Sequence, residues 1–214
     1  MTYCCLSLDD DDIEYWLRVA EALEPYGAKM TCFITTAEIM PLEEADLFSL
    51  SFSGHEMAVH AWDHRSLAHI HSSVWPHQIM DASDWIEQRT GVPVTSMAYP
   101  YGQSNEELRQ YVKSTGRFLG ARSIGHRIQP IPQLDPFAVP VINRKLLIGD
   151  GAETTVRINA LKYHALCAAN HAPFMFYSHN NEDMTVKQIK WIVDELAREN
   201  QKFITFSDML RLIL

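Results

Sequence analysis

The sequence has no run of about 20 apolar residues. Asp, Glu, Lys, Arg or His interrupts every hydrophobic stretch, so no membrane-spanning helix is expected. Its beginning, Met1-Thr2-Tyr3-Cys4-Cys5, carries neither a basic leader nor an apolar signal core. That absence predicts a cytoplasmic protein, or an extracellular or periplasmic one if a leader has been removed. Basic residues are scarce: 18 Lys and Arg stand against 27 Asp and Glu, a formal net charge of -9. A phosphate-backbone partner requires clustered cations, so nucleic acid is not expected as a ligand. No CxxC is present among the four cysteines. Cys4 and Cys5 are adjacent in what reads as a buried strand, where a mutual disulfide is badly strained, so the cysteines read as small reduced core residues. Repeats, low-complexity tracts and long linkers are absent as well, and residues 1–214 read as a single domain.

What is present is an alternation. Short apolar runs rich in β-branched or aromatic residues are followed by stretches whose apolar residues recur at helical spacing, the pattern of repeated βα units. Tyr3 to Leu8 is a strand, and Ile13, Trp16, Leu17, Ala20 and Leu23 mark one face of the helix after it, which Pro25 and Gly27 stop. Further strands are predicted at Lys29 to Thr35, Glu56 to Ala61, Thr95 to Tyr99, Phe118 to Ile124, Phe137 to Ile142, Phe174 to Tyr177 and Lys202 to Phe206. Helices are predicted near Pro41 to Leu50, over His71 to Arg89, from a Ser104 cap through Ser114, over Thr154 to Asn170, and along Val186, Ile189, Ile192, Val193 and Leu196. About seven parallel strands with helices outside make an α/β fold, either a barrel or an open sheet. In both, the strand C-termini share one face, and side chains just beyond them converge.

The residues at those ends carry chemistry. Leu6-Ser7-Leu8 runs straight into Asp9, Asp10, Asp11 and Asp12. A bound cation relieves the repulsion among four adjacent anions and leaves a neighbouring carboxylate free to take a proton. The plainer reading is a solvated loop whose Asp12 caps the next helix, and Asp12 suits that role in either case. His60 and His64 are four apart, a separation that on one helical turn aims both imidazoles at one point and suits a divalent transition metal. Ala61 and Trp62 stand where the HExxH motif needs its Glu, so this is not that motif. In a chain with ten histidines, two ordinary histidines at this spacing are the alternative. His179 ends an apolar strand, and Tyr99-Pro100-Tyr101-Gly102 is a turn able to present a backbone N–H to negative charge. His55, His69, His71, His77, His126, His164 and His171 lack such a pattern and read as structural or exposed.

Four motifs in one order resemble the NodB-homology polysaccharide deacetylases: Ser7-Leu8-Asp9-Asp10, Gly54 to His64, Ala98 to Gly102, and Tyr177-Ser178-His179. The resemblance spans essentially the whole chain and implies a distorted (β/α) barrel. It also implies a metal-dependent hydrolase that removes N-acetyl groups from an amino sugar. Asp10, His60 and His64 match the metal ligands, with zinc the first choice and cobalt or manganese as alternatives. Asp9 matches the catalytic base, His179 the general acid, and Tyr101 the residue whose backbone N–H holds the oxyanion. Trp62, Tyr99 and Pro100 are candidates for contact with the carbohydrate substrate. The chain departs from the pattern in three ways. Asp11 replaces a Gly; Ala98 and Tyr99 stand where many members carry an Arg that pairs with the catalytic carboxylate; and the Asp-Trp element that orients the acid histidine has no match. Arg122, after the fifth strand, is the candidate to supply the missing charge. The same scaffold also hydrolyses acetyl esters and cyclic amides, and a carbohydrate-binding relative without turnover is the reading from another class.

Overall fold

The computed structural model describes residues 3–125 and 127–214; His126 lies outside the described residues. Six parallel strands form one sheet: β1 (Cys4–Asp10), β2 (Met30–Ile34), β3 (Glu56–Val59), β4 (Ser96–Ala98), β5 (Gly120–Arg122) and β6 (Phe174–Ser178). Their order is β5-β4-β3-β2-β1-β6. Helices α1 (Ile13–Leu23), α2 (Glu44–Phe52), α3 (Ala82–Thr90), α4 (Glu106–Ser114), α5 (Arg144–Ile148), α6 (Glu153–Ala169), α7 (Val186–Arg198) and α8 (Phe206–Ile213) complete the fold. None of the described helices is long and apolar enough to cross a membrane.

Two of the predicted strands do not join the ladder. In 202–206, Phe203 makes one bridge to Cys4, and the Lys29 N–H donates to its carbonyl. The segment is wedged at the start of β1, which β2 and β6 already flank, and Thr205 caps α8 from Phe206 onward. Segment 137–142 makes a single bridge, Arg122 to Val139. Pro140 has no N–H to extend it. The Ile142 N–H instead donates 2.7 Å to the Met175 carbonyl of β6. One extended segment thus ties β5 to β6, the two sheet edges, and the sheet curls into a distorted barrel.

The period-2 alternation of strands sorts the core into two layers. Leu6, Leu8, Met30, Cys32, Ile34, Met57 and Val59 face the helices and pack with Trp16, Ile86 and Ile192. The inner face carries Cys5, Phe33, Ala58, Ala98, Met175 and Tyr177, and α8 plugs the lower end with Phe206, Met209 and Leu210. There the Glu56 carboxylate accepts hydrogen bonds from Thr31 Oγ1 (2.7 Å), Ser96 Oγ (2.6 Å) and the Ser207 hydroxyl and amide of α8. All four cysteines are free and buried, as expected. Asp12 caps α1, accepting from the Tyr15 N–H at 3.0 Å, and Ile13, Trp16 and Leu23 are buried on the predicted face. Asn105 rather than Ser104 caps α4, because its side chain reaches the Leu108 N–H at 2.8 Å.

His55 is buried beside β2, where its Nδ1 accepts the Met30 N–H at 3.3 Å. Burial, with the Lys29 charge adding to it, pushes the imidazole down to about 4. An unfolded histidine titrates near 6.5, so protonation below that pH favours the unfolded chain. Stability from this group is intact above about pH 6.5 and is lost toward pH 4, by roughly 3 kcal/mol in all. Urea unfolding at pH 7 and 4.5 should therefore show a smaller acid loss for His55→Asn than for the parent.

Candidate metal centre

Inner-face alternation carries Asp9, His60, Arg122 and, one residue past β6, His179 to the upper rim of the barrel. The register agrees: Asp10 lies level with Ile34, Ile34 with Val59, and Val59 with Met97, so His60, Ala98 and Arg122 lie at about one level. A cavity of about 370 Å³ opens there, lined among others by Asp9, His60, His64, Tyr101, Arg122 and His179. A larger groove of about 640 Å³ between His71 and Tyr111 holds no metal-ligand cluster.

Asp10, His60 and His64 bring one ligand atom each to within 4.8 Å of one another. Asp10 Oδ1 is 3.7 Å from His60 Nε2 and 3.4 Å from His64 Nε2. His60 Nδ1 is 2.9 Å from the Ala98 carbonyl, which assigns the proton to Nδ1 and leaves the Nε2 lone pair facing Asp10. Burial, reinforced by the Arg122 charge, pushes His60 down to about 3. The ring is therefore neutral, and its lone pair confronts a buried carboxylate oxygen that has no hydrogen-bond partner among the described residues. A cation among these atoms satisfies both, and one carboxylate with two imidazole nitrogens suits a divalent transition ion. The residues present fit the implied metal.

The two histidines do not converge on a helical turn, as their spacing had predicted. Residues 60–64 form a loop, with Ala61 at φ 70° and His64 at φ 57°. Asp10 (φ 79°) and Tyr101 (φ 58°) are also left-handed. Four of the six described non-glycine residues with positive φ thus surround this site, a concentration of strain typical of functional sites. Asp11, which takes the place of a glycine, is an exposed turn residue, and the unusual φ falls on Asp10 instead. Gly102 cannot carry a side chain, since a Cβ there would lie 2.3 Å from Ile124 Cβ.

Asp9 is buried, and Arg122 Nη2 donates to its Oδ2 at 2.5 Å. The expected replacement for the missing motif Arg is in place, from β5 rather than from the β4 turn. Burial pushes the Asp9 carboxyl up while Arg122, His179 and His64 pull it back, leaving it above its ordinary value. Asp9 Oδ1 has no hydrogen-bond partner among the described residues. The Arg122 guanidinium also lies 4.7 Å from the Tyr177 ring centre and 5.1 Å from that of Phe33.

Asp183, which the sequence reading missed, takes the position of the histidine-orienting acid. It bonds His179 Nδ1 from four residues downstream and receives Arg144 Nη2 at 2.6 Å. Burial pushes the Asp183 carboxyl up, but these bonds and charges outweigh it and hold the group below its usual value. The only sequence signal was the spacing His179-Asn-Asn-Glu-Asp183; Arg144 left none. Three proposed substrate contacts are less available than expected. Tyr99 and Pro100 are buried, with the Tyr99 hydroxyl donating to the Phe137 carbonyl. Trp62 packs its ring 4.7 Å from that of His77. Tyr101 is exposed, its ring edge-on to His64.

A family model described as polysaccharide deacetylase matches residues 2–118. The chain is 29% identical over 96 residues to the peptidoglycan-N-acetylmuramic acid deacetylase PdaC of Bacillus subtilis, an alignment covering 45% of this chain and only 20% of that protein. Among solved structures, the Xyl-CE4 domain of a multidomain xylanase from the hindgut metagenome of Trinervitermes trinervoides superposes with a TM-score of 0.71 at 17% identity, covering 98% of this chain and 90% of that one. A family 4 acetyl xylan esterase from Clostridium thermocellum, in complex with a cobalt ion, gives 0.68 at 16% identity, covering 99% and 91%.

Replacing Arg122 with Met strips a buried carboxylate of its counterion. Folding stability should drop by about 3–5 kcal/mol. Adding Asp9→Asn should recover part of that loss, as a double-mutant cycle in urea would measure.

Proposed function

The chain belongs to the polysaccharide deacetylase family, and from that premise we propose that it is a metal-dependent hydrolase removing N-acetyl groups from an N-acetylated amino sugar. The observation that carries this reading is that Asp10, His60 and His64 converge at the cavity that Asp9 and His179 also line. PdaC, a relative over part of the chain, is named for the deacetylation of a peptidoglycan amino sugar.

Asp10, His60 and His64 hold the ion, with zinc the first candidate. When bound, a divalent ion acts as a Lewis acid toward the acetyl carbonyl and makes water more acidic. Asp9 serves as general base through Oδ1, since Arg122 occupies Oδ2. Arg122 orients that carboxylate and offsets part of the cost of its charge within a buried setting. His179 delivers a proton to the departing nitrogen, and Asp183 stabilises the imidazolium that carries it. The Tyr101 backbone N–H meets the developing oxyanion. An amine anion is a poorer leaving group than an alkoxide, so a well-supported acid histidine favours amide hydrolysis over ester hydrolysis.

Protein stripped with chelator should release no acetate from N-acetylglucosamine oligomers and should recover activity on reloading with zinc, cobalt or manganese. Asp9→Asn should lower kcat by at least about 100-fold while leaving metal binding in place. Release from acetylated xylo-oligomers but not from amino sugars would reassign the bond to an ester. No release from either by the loaded protein would overturn the deacetylase reading and leave a cyclic amide hydrolase or a carbohydrate-binding relative without turnover.

A further inference from the structure

Two ligands of the metal cluster sit at the ends of loop 60–64, yet they are anchored differently. His60 continues from β3 and is tied to the Ala98 carbonyl through Nδ1. Among the described residues His64 has no such tie, and its backbone is left-handed, as is that of Ala61. L-residues hold these conformations only where surrounding contacts over-determine them. The loop carbonyls meet the chain after β2: Ala61 O accepts the Thr36 N–H at 3.4 Å, and Trp62 O accepts the Ala37 N–H at 2.8 Å. The loop amides meet one side chain. Gln78 Oε1 accepts the Trp62 N–H at 3.2 Å and the Asp63 N–H at 3.4 Å. Both neighbours are donors, so the oxygen must face them.

Gln78 is wholly buried, although its chemistry suits a surface, and it lies on a π-helical turn, Pro76–Asp81, that leads into α3. Such turns are rare and recur beside functional sites. We propose that Gln78 is a positioning residue for the metal centre: it clamps the two peptide groups ahead of His64 and so fixes where His64 Nε2 points. This rests on the reading of Asp10, His60 and His64 as metal ligands. The clamp acts on His64 alone, because His60 has its own anchor.

The test is Co²⁺ and Zn²⁺ affinity by competition with a chelating dye, in the parent, in near-isosteric Gln78→Met and in Gln78→Glu, which keeps the acceptor. Loss of an outer-sphere anchor should raise the Kd of Gln78→Met about 10–100-fold, and Gln78→Glu should restore most of it. Amide exchange on the parent supplies an arm that needs no variant: the Trp62 N–H should be protected well beyond the rate of an unfolded chain. An unchanged Kd in folded Gln78→Met overturns the inference, as does free exchange of the Trp62 amide. A parent protein that binds neither ion sinks the underlying ligand assignment instead.

Discussion

Placing a carboxylate inside a barrel is costly unless a positive charge accompanies it. In this chain the Asp9–Arg122 pair meets that requirement, and the architecture around it follows. β1 and β5 are four strands apart, about 19 Å in a flat sheet. Their side chains meet at 2.5 Å only because the sheet curls and segment 137–142 ties its two edges together. The guanidinium is in turn held against Tyr177 and Phe33, aromatic faces that partly replace its lost hydration. Among the described residues its Nε and Nη1 have no hydrogen-bond partner, so these ring contacts matter.

A second charge pair, Arg144 with Asp183, stands behind His179, and Tyr177 connects the two pairs. Arg144 donates to the Tyr177 hydroxyl at 3.0 Å and to Asp183, which holds His179. Asp9 is therefore paired with Arg122 and His179 with Asp183, and the two arginines, Arg122 and Arg144, share the Tyr177 ring. The arrangement separates the roles of neighbouring groups. Asp9 is directed inward by strand alternation and retained by Arg122. Asp10, one residue on, leaves the strand in a left-handed conformation and faces the His60 and His64 imidazoles. Adjacent aspartates with the same chemistry thus acquire different environments, one suited to proton transfer and one to a cation.

Much of the fold was legible because it rests on local periodicity. The face of α1, the Asp12 cap, the reduced cysteines and all six sheet strands follow from spacing and residue type. Lys202 to Phe206 also reads as a strand, since nothing local reveals that β1 is already paired on both sides. The helical geometry inferred for His60 and His64 failed for a similar reason: a four-residue spacing is shared by helices and by loops held in left-handed turns, and only the contacts of Gln78, Thr36 and Ala37 decide between them.

By itself the sequence determined the α/β alternation, which local periodicity marks, and the resemblance carried by its motifs singled out Asp10, His60 and His64 as candidate metal ligands, Asp9 and His179 as candidate base and acid, and Arg122 as candidate counterion. Tertiary structure alone decided that Arg122 meets Asp9, that Asp183 and Arg144 support His179, that Tyr99 is core rather than contact, and that Gln78 accepts the Trp62 and Asp63 amides of loop 60–64. These are contacts between segments far apart in the chain or turned by a loop. Their partners are set by sheet curvature and backbone strain, which no local pattern of residues encodes.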